Sequence, residues 1–450
     1  MSKLVSASGV KLNWAMFRTG YAYALTVAIA TGFLTAACEN NAPSGTQGGN
    51  QTSPSASNTS NAKGLKIGSI LPATGDVAAI GQPLPDAIRL AVDTVNKCGG
   101  VNGEQVTYIA EDDQSDPNAG AAAMTKLSEV DKVAGVVGSF ASSVSTAGAE
   151  VATRNKVMMI SPGSTSPVFT QRAKEGKYNG FWARTAPPDT YQAQALARLA
   201  SDKGFKSVST IAINNDYGVG FEKEFVQAFK NSGGTIVNEQ KPTRYDPKAA
   251  TFESEAAAAF SGKPQALAAL IYPETGSLFL KAAYQQGLSQ GVQIMLPDGA
   301  YAPNFPDQVG KSSDGKYIIA GALGTVPGAN GPSLQAFNTL WKEKTNKPIT
   351  AYLAHTWDAT ALLMLAAQAA KANTGEGIKS KIREISNAPG EEVSDLCKAM
   401  DLVNQGKDIN YQGASGNVDI DQNGDVVGSY DVWTVQSDGK LAVVGKVSPK

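Results

Sequence analysis

The sequence has one histidine in 450 residues, His355. That nearly rules out histidine-based metal centres and Ser-His-Asp catalysis, both of which need imidazole. His355 sits in the apolar run AYLAHTWDATALLMLAAQAA, where a packed core histidine is expected. Excess charge is also lacking. Lys and Arg total 39 against 40 Asp and Glu, a net charge of −1. Nucleic-acid binding wants a basic surface, so no such partner is expected. Cysteine is scarce, with only Cys38, Cys98 and Cys397. No activated nucleophile stands beside a base, so enzyme activity is not expected. No cofactor or metal site is expected either. Asp419-Ile420-Asp421-Gln422-Asn423-Gly424 resembles the start of an EF-hand loop, but its twelfth position is Tyr430. A bidentate glutamate belongs there. Asn423-Gly424 is better read as a hairpin turn.

The N-terminus is the most legible region. Lys3, Lys11 and Arg18 precede the uncharged YAYALTVAIATGFLTAA, which ends at Cys38. A basic stretch, an apolar run and small residues before the cut predict a secretory signal over 1–37. The alternative is an uncleaved anchor helix. Leu34-Thr35-Ala36-Ala37-Cys38 resembles a bacterial lipobox, with Thr35 where leucine is commonest, so Cys38 is the expected lipidation site. The Ser-, Asn-, Gly- and Thr-rich segment that follows, to residue 64, has almost nothing to bury. It reads as a flexible tether. With about 25 residues its typical reach is roughly 25 to 30 Å. The expectation is a globular body leashed to the periplasmic face of a bacterial membrane. Export permits a disulfide, and with Cys38 modified the other two cysteines make one pair, Cys98–Cys397. Two separate buried thiols are the other reading.

From Leu65 onward, strand and helix patterns alternate. LKIGSIL, VTYIAED, VAGVVGS and VMMIS read as short apolar strands, separated by segments such as PDAIRLAVDTVNK with helical spacing. Such alternation predicts a parallel sheet covered on both faces. The pattern pauses at RTAPPD, then restarts with SVSTIAI, GTIVNEQ, ALAALIY and VQIMLPD as strands. The fold class is therefore α/β with two doubly wound units. Late helices around 334–386 have no strands left to cover, which suggests a return to the first unit. YDVWTVQ and KLAVVGKV look like an antiparallel pair.

Open parallel sheets bind ligands at the carboxyl ends of their strands. After VMMI comes Ser161-Pro162-Gly163-Ser164-Thr165-Ser166-Pro167, with four hydroxyls where a loop needs one or two turn residues. After VAGVVG comes Ser139-Phe140-Ala141-Ser142-Ser143. Hydroxyls and helix-start amides suit an anion. The second unit instead offers Asn214-Asn215-Asp216-Tyr217, Tyr272-Pro273-Glu274 and Pro297-Asp298-Gly299, which suit a cation. Opposite preferences on two lobes match a zwitterion between them.

The order of IGSILPATGDVAAIGQPLPDAIRLAVDTVNKCGGVNG, EDDQSDPNAGAAAMTKL, VVGSFASSVSTA, ISPGSTSP and GNVDIDQNGDVVGSYDVW resembles type I periplasmic binding proteins. Among them it is similar to the leucine/isoleucine/valine-binding receptors of ABC importers. The resemblance runs from about Lys66 to the C-terminus. It implies two α/β lobes joined by a three-segment hinge, with lobe one over 65–185 plus 321–427 and lobe two over 186–320 plus 428–450. It also implies, for a monomeric receptor, a carboxylate grip by Ser142, Ser164 and Thr165, and a hinge-side acid at Asp189. Tyr217 would close over the ligand, and Asp298 would meet the ammonium where leucine-type receptors carry glutamate. Ile271 stands where those receptors carry a tyrosine, although Tyr272 follows, and Ile80 replaces an aromatic. Ser115 and Ala141 occupy the places of a small-lobe disulfide. A zwitterionic amino acid therefore transfers better than leucine itself. The implied function is a neutral or branched-chain amino-acid receptor that delivers its ligand to an ABC permease. The alternatives are a receptor for urea, short amides or another small polar solute, or a ligand-sensing domain.

Overall fold

A computed structural model describes residues 64–448. The expected signal, the lipidation site Cys38 and the tether up to residue 63 lie outside the described residues. No helix among the described residues is long and apolar enough to cross a membrane.

The first sheet contains β1 (Lys66–Leu71), β2 (Thr107–Asp112), β3 (Gly135–Gly138), β4 (Met158–Ser161) and β5 (Trp182–Arg184). Its order is β2-β1-β3-β4-β5, and every pairing is parallel. β3 and β4 are buried along their whole length, as strands covered on both faces must be. The helix Leu84–Lys97 turns Ile88, Ala91, Val92 and Val95 inward, the stripe its spacing predicts.

The second sheet holds β6 (Ser207–Ile213), β7 (Thr235–Ile236), β8 (Thr243–Tyr245), β9 (Ala266–Leu270), β10 (Gln293–Leu296) and β11 (Leu323–Pro327). A small parallel pair follows, β12 (Glu391–Val393) with β13 (Ile409–Tyr411). β14 (Tyr430–Val435) and β15 (Leu441–Val447) then complete the second sheet. Its order is β15-β14-β11-β10-β9-β6-β7, with β8 also on β6. β14 runs antiparallel to β11 and β15, so the C-terminal pair forms as expected.

Three details differ from expectation. β11 pairs with β10 and β14, so the second sheet extends past a boundary at residue 320. The strand expected over GTIVNEQ is only two residues long, because the chain turns away at Val237 and re-pairs as β8. Asn423-Gly424 does lie in a tight turn, closed by Gly424 N–H to the Asp421 carbonyl at 3.1 Å, but no strand flanks it.

The late helices do return to the first lobe. Helix Leu353–Ala370 packs on helix Leu84–Lys97, β3 and β4. It is buried on nearly every side, which explains its apolar character all round. His355 lies in its first turn at 2% exposure, and burial pushes its imidazole down to about 4. Cys98 and Cys397 form a disulfide between the ends of helices Leu84–Lys97 and Leu396–Asn404, with Cα atoms 5.7 Å apart across 299 positions.

Candidate functional site

Two loops of lobe one meet at the carboxyl ends of β3 and β4. Helix Ser142–Arg154 starts there with no side-chain cap, so its first amides are left without a side-chain acceptor. Ser142 Oγ lies in that first turn and accepts the Ser166 N–H at 3.3 Å. The hydroxyl-rich loop after β4 does two different jobs. Ser161 Oγ donates to the Ser139 carbonyl at 2.6 Å and accepts the Ser164 N–H at 2.8 Å. Ser164 Oγ lies 3.0 Å from the Phe140 carbonyl and 2.7 Å from Ser145 Oγ. Ser164 is thus committed to knitting the loops together. Thr165 is not, because its buried Oγ1 has no hydrogen-bond partner.

Beside Thr165 lies Asp189, the first residue of helix Asp189–Asp202. Its backbone N–H donates to the Thr165 carbonyl at 2.8 Å. Its carboxylate is fully buried, and neither oxygen has a hydrogen-bond partner. Burial, and then the nearby Asp298 charge, push this carboxyl well above its ordinary range. The Thr165 hydroxyl is near enough to lower it slightly, although the pair lacks ordinary hydrogen-bond geometry.

Asp298 comes from lobe two, in a 3-10 turn directly after β10. Tyr217 OH donates to its Oδ1 at 2.9 Å and accepts the Gly299 N–H at 3.1 Å. Gly299 is required there, since a Cβ would come within 2.7 Å of the Tyr217 hydroxyl. Tyr352 OH, from lobe one, donates to Asp298 Oδ2 at 2.5 Å. Burial raises the Asp298 carboxyl, while these two phenols pull it down. Tyr272 stacks on Tyr217 with centroids 5.2 Å apart. Ile271 is buried just before it, with its side chain against Gly276 of the following helix. Tyr272, rather than Ile271, therefore joins the aromatic residues around Asp298. Ile80 is buried in lobe one.

The lobes are closed on each other. Thr275 of lobe two donates N–H and Oγ1–H to the Asp76 carboxylate at 2.9 and 2.8 Å. Thr146 donates to Asp216 at 2.8 Å, Ser143 Oγ accepts the Asp216 N–H at 2.9 Å, and Ser166 donates to the Asp216 carbonyl at 2.7 Å. So the opening of helix Ser142–Arg154 touches the opening of helix Asp216–Asn231.

Arg184, at the end of β5, was not singled out from the sequence. Its side chain is fully buried and pairs with Asp425 at 2.7 Å. Its Nη1 donates to the Ser164 and Ser166 carbonyls at 3.1 and 3.0 Å, and Nη2 to Thr170 at 2.9 Å. It clamps both sides of Thr165. The sequence signal was available, because Arg184 ends a strand and directly precedes the chain crossing. Tyr352 gave no comparable signal, since it precedes a helix rather than ending a strand.

The site thus has uncapped helix amides and a free hydroxyl at one end. Beside that hydroxyl lies the buried Asp189 carboxylate, with Asp298 near it, and neither has a salt-bridge partner among the described residues. The profile of the "Receptor family ligand binding region" matches residues 84–438. The chain belongs to this family, as a type I periplasmic binding protein. The chemotactic signal transduction system substrate-binding protein BasB of Halobacterium salinarum is 26% identical over 365 residues, covering 79% of this chain and 83% of that protein. Leu/Ile/Val-binding protein homolog 1 of Brucella abortus is 28% identical over 325 residues, 71% of this chain and 82% of that one. The crystal structure of a leucine binding protein, LivK, from Thermotoga maritima superposes with a TM-score of 0.71 at 28% identity, covering 86% and 99% of the two chains. An ABC transporter solute binding protein from R. palustris in complex with benzoate gives 0.67 at 19% identity over 86% and 97%, a likeness of fold. Members of this periplasmic binding protein family are solute receptors rather than enzymes.

Proposed function

We propose that this periplasmic binding protein is an extracytoplasmic receptor for a neutral, zwitterionic amino acid, which it presents to an ABC permease. The observation that carries the reading is the unpartnered Asp189 carboxylate beside Asp298 in a closed cleft. Two buried carboxylates without a cation are costly, and a ligand ammonium supplies the missing charge. The ligand carboxylate would lie on Thr165 Oγ1, Ser142 and the first amides of helix Ser142–Arg154. Ser164 would act as scaffold rather than as a direct ligand. Tyr217 and Tyr352 would hold Asp298, one from each lobe. Closure would then add contacts made only by the bound form, which is what shifts the population.

The relatives that bind leucine or the Leu/Ile/Val set support an amino acid. The acid-rich end argues against an aromatic carboxylate with no amine, such as the benzoate held by the structural neighbour. A micromolar affinity would correspond to about −8 kcal/mol. We further propose that Cys38 carries the lipid anchor on the periplasmic face. A second reading keeps the cleft but changes the listener, in line with the chemotactic role of the Halobacterium relative: a separate membrane sensor would read the closed form.

The test is titration calorimetry of the body from residue 61 onward, unfolded and refolded to strip ligand. The panel holds the twenty amino acids, urea, short amides and benzoate. Binding of neutral amino acids is expected. Binding of benzoate, urea or amides alone would overturn the ligand assignment.

A further inference from the structure

Some of the contacts that join the lobes lie outside the proposed ligand residues. Asp76 sits on the lobe-one loop after β1, and Thr275 in the first turn of helix Pro273–Gln285 of lobe two. That helix has Tyr272 at its N-cap position and no side-chain cap of its own. Its opening is met from across the cleft instead. Thr275 N–H donates to Asp76 Oδ1 at 2.9 Å, and Thr275 Oγ1–H donates to Oδ2 at 2.8 Å. Because that hydroxyl gives its proton to Asp76, Tyr245 OH of β8 donates to it in turn, at 3.0 Å. Thr275 and Tyr245 are both buried. An aspartate on a helix-start amide is a capping arrangement, and the positive end of the helix favours its charge. Here the cap and the helix belong to different lobes.

The cap is preformed on its own lobe. Ala73 N–H and Thr74 Oγ1–H donate to the Asp112 carboxylate at 2.9 and 2.7 Å, and Val77 N–H donates to Ser115 Oγ at 3.2 Å. Gly75, just before Asp76, has φ +86°, and a Cβ there would come within 2.2 Å of the Gln114 carbonyl oxygen. Closing the lobes therefore does not have to order this loop. A neighbouring cross-lobe pair, Lys248–Asp116 at 3.6 Å, has its lysine largely in solvent and adds little. The lobes approach closely again at Gly220, in helix Asp216–Asn231 of lobe two. A Cβ there would meet lobe one, with Ser166 Oγ at 2.9 Å and Pro167 Cδ at 3.0 Å.

We propose that Asp76 is the latch of closure: it caps helix Pro273–Gln285 only when the lobes meet, and so sets how long a bound amino acid is retained without touching it. The proposal rests on the reading of the cleft as that of a closing receptor. Asp76 is a positioning residue, acting on the ligand through lobe two. The cap adds free energy to the closed form alone, so it shifts the population toward closure and slows reopening. Gly220 keeps the approach clear on the other side.

Small-angle scattering of the ligand-stripped protein reads closure with no amino acid present. Asp76→Ala removes the cap. Asp76→Asn keeps one acceptor oxygen for the Thr275 N–H, and Gly220→Val sets a steric block between the lobes. The radius of gyration should rise in Asp76→Ala and Gly220→Val, with Asp76→Asn between them and the wild type. Stopped flow with L-leucine as the probe then reads retention. Loss of a typical cap corresponds to about tenfold in an equilibrium. L-Leucine should therefore leave Asp76→Ala about tenfold faster, with association unchanged and partial rescue in Asp76→Asn. A cap that only stabilised lobe two would lower the unfolding midpoint and leave radius and dissociation rate as they are, which overturns the latch. A wild-type radius equal to that of Gly220→Val also overturns it, and a changed radius with unchanged dissociation overturns the role in retention. Failure of L-leucine to bind the wild type counts against the cleft reading, and the ligand-free scattering then decides the latch alone.

Discussion

Arg184 shows how a side chain that need not touch ligand can decide whether the site exists. It holds the carbonyls on both sides of Thr165 and pairs with Asp425, its own side chain fully buried. Arg184→Met leaves the largely buried Asp425 without its cation, with only the Thr170 hydroxyl still donating to it, which should cost about 3 kcal/mol in denaturant unfolding. It should also weaken ligand binding, because the Thr165 loop loses its clamp. A variant with wild-type stability would contradict this role. Asp113 provides a pH signature. Burial, partly offset by the Ser139 hydroxyl, raises its carboxyl from 3.8 to about 6. Between roughly pH 4 and 6 the folded chain binds this proton and the unfolded chain does not. Its contribution to stability therefore falls as pH rises through that window. Asp113→Asn removes the effect. From pH 7 to pH 4 the wild type should gain roughly 2–3 kcal/mol relative to the variant, and parallel stability curves would contradict it. The residues proposed for the site were legible in two ways: strand ends point to the Thr165, Tyr217 and Asp298 loops, and Asp189 came from the family resemblance alone. Thr165, Asp189, Tyr217 and Asp298 do converge. Ser164 could not be separated from Thr165 by sequence, since only the fold shows which hydroxyl already has partners.

At the scale of elements, the alternation of apolar runs with helical stripes revealed the parallel strands of both sheets. Failures fell where local pattern is weakest. β8 is only three residues, Thr243 to Tyr245, in a polar stretch, and it exists because β6 offers a free edge beyond β7. β11, expected to belong with lobe one, pairs into the second sheet, because a crossing strand has no sequence mark distinguishing its two sides. The disulfide ties the first long helix of lobe one to helix Leu396–Asn404, which arrives after the chain has built lobe two. Closing so long a loop restricts the unfolded chain, for roughly 2–4 kcal/mol of stability. The double variant Cys98→Ser, Cys397→Ser should lose that much in denaturant unfolding and keep its ligand affinity, since neither cysteine is among the cleft residues. No loss of stability would show that the bridge is not closed in the folded protein.

For the whole molecule, closure is what makes the chemistry worth having. Tyr217 and Tyr352 reach one carboxylate from different lobes, and Asp76 and Asp216 are gripped from across the cleft. In the open form Asp298 would face water and cost little. In the closed form it and Asp189 are buried, and under the proposed function a ligand ammonium would be the partner that both lobes need. The measurement that tests this most directly is calorimetric titration of wild type and Asp298→Ala with the tightest amino acid of the panel. The account predicts a loss of roughly 2–5 kcal/mol, because the ammonium is left without its lobe-two partner. Equal affinity in the two proteins would contradict it, and would move the ammonium, or the ligand class itself, away from this pair of carboxylates.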